Sequence, residues 1–117
     1  RILEVLSTPG HTPDAVSLFD SDLGLLWLGD IYYDGPIWLF VPETDLDAFY
    51  QSVEQLCTLV PRLNTVHPAH NNPITQPQSL YSLRDALIHI QDGTVSGNTI
   101  SGGRVEYFFK GFSLIVK

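Results

Sequence analysis

Apolar and polar positions alternate loosely over Arg1–Ser7, which predicts a short strand. Two prolines and a glycine in Thr8–Pro13 punctuate a turn. Ala15–Phe19 predicts a second strand, ended by Asp20-Ser21-Asp22 and Gly24. Leu25–Leu28 is an unbroken apolar run, as expected of a strand buried on both faces, and Gly29-Asp30 stops it. Ile31–Glu43 follows no regular period but is rich in aromatics: Tyr32, Tyr33, Trp38 and Phe40.

The period then lengthens. Leu46, Phe49, Tyr50, Val53, Leu56, Cys57 and Val60 recur at three- and four-residue steps, predicting an amphipathic helix. Thr44 is its expected N-cap, Asp45 and Asp47 suit the positive end of the helix dipole, and Pro61 marks its end. Leu63–His67 predicts a short strand, and Asn71-Asn72-Pro73 a turn. A second helix is expected over about Gln78–Gln91, with Gly93 as its C-terminal cap. Arg104–Phe109 and Phe112–Val116 predict two strands joined by a Lys110-Gly111 hairpin turn. The order β-β-β-α-β-α-β-β implies an α/β layered fold, and the close spacing of the elements implies one domain.

Composition narrows the function classes. With 117 residues, 44% hydrophobic and 16% charged, the chain reads as a single globular domain. A net charge of −7, with six scattered basic residues, argues against a nucleic-acid partner. No apolar run approaches the roughly 20 residues of a membrane span, and no signal segment is evident. One cysteine cannot form an internal disulfide, so a cytoplasmic setting is expected. A strand-like start at Arg1, without methionine, reads as a truncation.

Three predicted strand ends carry chemistry-bearing residues: His11 in Pro9-Gly10-His11-Thr12-Pro13, Asp30 after Gly29, and His70 in Pro68-Ala69-His70-Asn71. Turns at strand ends are where α/β folds hold functional side chains. Imidazole and carboxylate are ligand types for zinc, iron or manganese, although spacings of 19 and 40 residues are weak evidence alone. His89 reads as a surface or boundary residue of the second helix. Cys57, on the apolar stripe of the first, reads as a buried small hydrophobe rather than a nucleophile.

Together, Thr8-Pro9-Gly10-His11-Thr12-Pro13, Leu26-Trp27-Leu28-Gly29-Asp30, His67-Pro68-Ala69-His70 and the closing Phe108-Phe109-Lys110-Gly111-Phe112-Ser113 resemble the metallo-β-lactamase-fold hydrolases. The resemblance covers essentially the whole chain, with Asp14 standing where a glycine is common. It implies that His11 is a ligand of one metal, Asp30 a carboxylate bridging two, and His70, rather than His67, a ligand of the second. The family signature His-x-His-x-Asp-His occurs nowhere in the chain. The resemblance therefore implies that residues 1–117 are the C-terminal half-domain of an αββα sandwich, with an incomplete two-zinc site.

The parent function so implied is metal-dependent hydrolysis, a metal-bound hydroxide attacking a thioester or other acyl group of a small-molecule substrate. The isolated chain is expected to be inactive. Tyr33 and Trp38, in the aromatic stretch after Asp30, are candidate substrate-side residues, with a hydrophobic plug as the competing role. A catalytically silent binding or assembly module, or a di-iron oxidoreductase on the same scaffold, are the alternatives. Half a sandwich leaves an apolar sheet face, so the missing N-terminal half or a second copy of the chain is the expected partner.

Overall fold

The computed structural model describes residues 2–117; Arg1, where the sequence starts the first strand, lies outside the described residues. The elements run β1 (Glu4–Ser7), β2 (Val16–Asp20), β3 (Leu25–Gly29), β4 (Gly35–Leu39), α1 (Leu46–Cys57), β5 (Thr65–Pro68), α2 (Ser79–Asp92), β6 (Asn98–Thr99), β7 (Val105–Phe109) and β8 (Phe112–Val116). The α/β class holds, and two strands, β4 and β6, are added to the expected order.

Two four-stranded sheets result, ordered β1-β2-β3-β5 and β4-β8-β7-β6. In the first, β1, β2 and β3 are antiparallel neighbours and β5 joins β3 in parallel. In the second, β4 lies parallel to β8, and the β7–β8 hairpin turns at Gly111, whose φ of 86° explains the glycine. Phe19, Leu26, Leu28 and Val66 from the first sheet meet Ile37, Leu39 and Leu114 from the second in one core. Phe49, Val53 and Leu56 of α1 and Leu80 and Leu83 of α2 complete it. Each such side chain contributes about 1.5–3 kcal/mol through burial.

The run Leu25–Leu28 is covered on one face only. Leu26 and Leu28 are fully buried, while Leu25 and Trp27 are half-buried on the other face. In the second sheet, Ile37, Leu39 and Leu114 point inward, and the opposite face presents Pro36, Trp38 and Phe108, the last two more than half exposed.

Helix α1 begins one residue later than expected. Asp45, not Thr44, is its N-cap, and the Asp45 carboxylate accepts from the Ala48 N–H at 3.1 Å. Thr44 is diverted: its hydroxyl donates to the His11 carbonyl at 3.0 Å. Asp45→Ala is expected to cost about 1 kcal/mol in urea denaturation. The helix stops at Cys57, and Pro61 sits in a separate 3₁₀ turn, Val60–Arg62. Helix α2 ends as the sequence implies, with Gly93 left-handed at φ 77° and its N–H donating to the His89 and Ile90 carbonyls.

Candidate metal centre

Strands β1, β3 and β5 all run in one direction, because β2 is antiparallel to both β1 and β3 and β5 is parallel to β3. Their carboxyl ends therefore open on the same edge of the sheet. The segments leaving them carry His11, Asp30 and His70, and the three side chains converge there.

The Asp30 carboxylate lies between the two imidazoles. Its Oδ1 is 2.6 Å from His70 Nε2 and its Oδ2 is 3.9 Å from His11 Nε2. On the far side of the His11 ring, Nδ1 lies 2.7 Å from the Trp38 carbonyl. A carbonyl can only accept, so Nδ1 carries the hydrogen and Nε2 turns a lone pair toward Asp30. This second contact fixes both tautomer and ring direction, the usual role of an outer partner of a metal-binding histidine.

The N-terminal part of α1 anchors the His11 turn. The Asp45 N–H donates to the Gly10 carbonyl at 2.8 Å, the Ser52 hydroxyl to the Pro9 carbonyl at 2.7 Å, and the Thr44 hydroxyl to His11 itself. Gly10 is pressed against the helix, with φ 141° and no room for a side chain beside Phe49.

Two imidazoles and a carboxylate fit the chemistry of zinc, iron or manganese. Among the described residues, however, no group of three or more His, Cys, Asp or Glu already stands in an arrangement that could hold a metal ion. His70 Nε2 and Asp30 are engaged with each other. A closed site needs three or four protein donors per zinc, and these three residues alone do not supply that number for two ions.

The remaining candidates separate cleanly. His67 stacks on Trp27, ring centroids 5.4 Å apart, and its Nε2 lies 3.1 Å from the Thr65 hydroxyl, on the outer face of the sheet. His89 is exposed on α2 and lies beside Thr94 at 2.8 Å. Cys57 is buried and donates weakly to the Leu80 carbonyl, and burial pushes its thiol up to about 11. Native Cys57 is therefore expected to resist iodoacetamide at neutral pH and to react once urea unfolds the chain. The folded thiol holds its proton more tightly than the free value of 9.0, so this group's contribution to stability is present below pH 9 and lost towards pH 11.

The aromatic stretch splits between buried packing and the lining of a cavity beside His70. Tyr32 is buried and packs edge-on against Phe112. Tyr33 meets the His70 ring edge-on at 5.0 Å. Burial raises the Tyr33 phenol above its ordinary 10.0, opposed by the Trp38 backbone and reinforced by Asp30, so it stays protonated at neutral pH. Tyr33, Pro36, Trp38, His70 and Asn71 line a cavity of about 320 Å³. Asn71 was not singled out by periodicity. The available signal was local: asparagine beside Asn72-Pro73, and asparagine tolerates its left-handed φ of 66°.

No family model matches the chain. It is 34% identical over 74 residues to the acyl-coenzyme A thioesterase MBLAC2 of Homo sapiens and of Bos taurus, a stretch covering 62% of this chain. That stretch spans about a quarter of the relatives' own length, 26%. Among solved structures, the di-iron-bound form of TTHA1623 is 30% identical, with a TM-score of 0.58 over 70% of this chain and 41% of that one. A metallo-beta-lactamase from Pontibacter korlensis gives a TM-score of 0.59 at 24% identity, covering 74% and 41%. ETHE1 from Myxococcus xanthus gives 0.61 at 21% identity, covering 79% and 45%. The last two establish likeness of fold.

Proposed function

We propose that this chain, which belongs to the metallo-β-lactamase-fold family, supplies the His11, Asp30 and His70 side of a two-metal hydrolytic site and forms the C-terminal half of that domain. The observation that carries the reading is the Asp30 carboxylate lying between His11 Nε2 and His70 Nε2, hydrogen-bonded to the latter. Three donors are too few for two ions, so the remaining ligands are assigned to residues outside these 117. Zinc is the metal of this reading, and iron or manganese would accept the same donor types. A cytoplasmic setting belongs to the same reading.

When bound, the metal supplies Lewis acidity toward a carbonyl oxygen and acidifies water. The chain's own residues supply position. The Trp38 carbonyl and the α1 anchor hold His11, Asp30 offers one carboxylate oxygen to each side, and Tyr33 limits the movement of His70. The substrate is read as a small-molecule thioester or other acyl compound. Tyr33, Pro36 and Trp38 make an apolar flank beside His70, no lysine or arginine among the described residues lines that cavity, and the relatives bear the name acyl-coenzyme A thioesterase.

Zn²⁺ calorimetry on the chain tests the assignment of an incomplete site. Weak uptake and no thioester turnover are expected. Tight binding that disappears in His11→Ala would overturn it. The di-iron form of the 30%-identical neighbour supports a second reading, an iron oxidoreductase site, which metal analysis of the longer protein separates from zinc hydrolysis. A longer protein that binds no metal would instead be a silent binding module. The exposed face carrying Trp38 and Phe108 is assigned to contact with the other half or with a second copy, and a monodisperse monomer in concentrated light scattering would count against that.

A further inference from the structure

We infer that Asn71 is a positioning residue for His70: its side-chain amide clamps the loop carrying His70 to the loop carrying Asp30, and so sets the spacing of the two side chains. The inference rests on the reading of His70 as a ligand, while the clamp itself is a matter of contacts.

The loops are tied on both flanks of the pair. Before it, the Ala69 N–H donates to the Gly29 carbonyl at 3.2 Å. After it, the Asn71 amide donates to the Asp34 carbonyl at 2.5 Å. Asp34 then collects two further donors on its carboxylate, the Tyr32 hydroxyl and the Asn72 amide, each at 3.3 Å. His70 is thus one residue from each tie, while Asp30 lies one residue from the first and four from the second. Tyr33, between Asp30 and Asp34, presses edge-on against the His70 imidazole.

Two backbone features support a dedicated geometry. Asn71 is the one non-glycine residue with positive φ among the described residues. Its amide lies so close to Gly35, itself at φ 112°, that a Cβ there would stand 3.1 Å from the amide nitrogen. Left-handed backbone at a non-glycine residue costs free energy and persists where surrounding contacts fix it. Here it aims the amide across the gap between the two loops. His70 is more than half exposed, so without this clamp little but the Tyr33 edge and the Asp30 carboxylate would order its ring.

The test separates positioning from folding by using two variants of the chain. Asn71→Gly keeps the left-handed backbone at no steric cost but removes the amide. Asn71→Asp keeps size and backbone tolerance but turns an acceptor toward the Asp34 carbonyl. In both, the thermal midpoint is expected to shift by only a few degrees. Proton NMR is expected to show the Tyr33–His70 ring cross-peak at least halved, and the His70 ring signals moved, while His89 is unmoved. Wild-type Tyr33–His70 cross-peaks in both variants would overturn the proposal. So would an equal loss of the Trp27–His67 cross-peak, which would mean general loosening. The measurement needs no metal, so its failure is distinguishable from failure of the hydrolase reading in Zn²⁺ titration.

Discussion

A Gly10→Ala chain is expected to lose about 4 kcal/mol of stability, the combined scale of backbone strain and overpacking, and so to be largely unfolded at moderate urea. A Cβ at Gly10 would stand 2.3 Å from the Phe49 Cα and 2.4 Å from its backbone nitrogen. Those atoms belong to the helix backbone, so no rotamer change can make room. The φ of 141° is also one that L side chains rarely adopt. Relief would require lifting the His11 turn off α1, which breaks the bonds from Asp45, Ser52 and Thr44 together. Gly93→Ala is the control. Its φ is also positive, but nothing lies within 4 Å, so only the left-handed cost of about 1–2 kcal/mol is expected. Equal urea midpoints for the two variants would contradict this account.

If the proposed two-metal hydrolytic site is right, Asp30→Ala in a protein carrying the complete site is expected to reduce hydrolysis by more than about a hundredfold, beyond the loss from changing an outer partner of a ligand. The Asp30 carboxylate faces both imidazoles, so its removal leaves His11 and His70 without that shared anion. With its side chain 44% exposed, little packing is lost, and the thermal midpoint should stay near that of the parent. Thioester hydrolysis followed by thiol release, together with metal content, checks both halves of the expectation. Retained activity with retained metal would remove Asp30 from the site.

What sequence made visible, and what it hid, follows the range of the interactions. Helix α1 and the β7–β8 hairpin announce themselves because their period and turn chemistry are local. Strand β4 was hidden because Gly35 and Pro36 read as loop and its partner, β8, lies at the other end of the chain. The inward Ile37 and Leu39 were its only local trace. Thr44 and Asp45 are both good caps, and a tertiary contact decides between them, since the His11 carbonyl takes the Thr44 hydroxyl. Leu25–Leu28 reads as doubly buried because Trp27 is apolar, yet its ring lies on the outer face against His67. His11, Asp30 and His70 were legible as strand-end residues. That one edge gathers them follows from strand direction, which a local pattern does not encode.

The parallel pairing of β4 with β8 has a consequence for the order of assembly. The first sheet is built mostly from neighbours in sequence and can form early. Strand β4 has no partner until residues 112–116 have been synthesised. Pairings of such long sequence separation form late and slowly, because loop closure precedes any gain from contact. Trp38 belongs to that strand, and its carbonyl sets the His11 tautomer. A nascent chain would therefore carry His11, Asp30 and His70 well before it could orient the first of them, because the strand that fixes His11 is paired last.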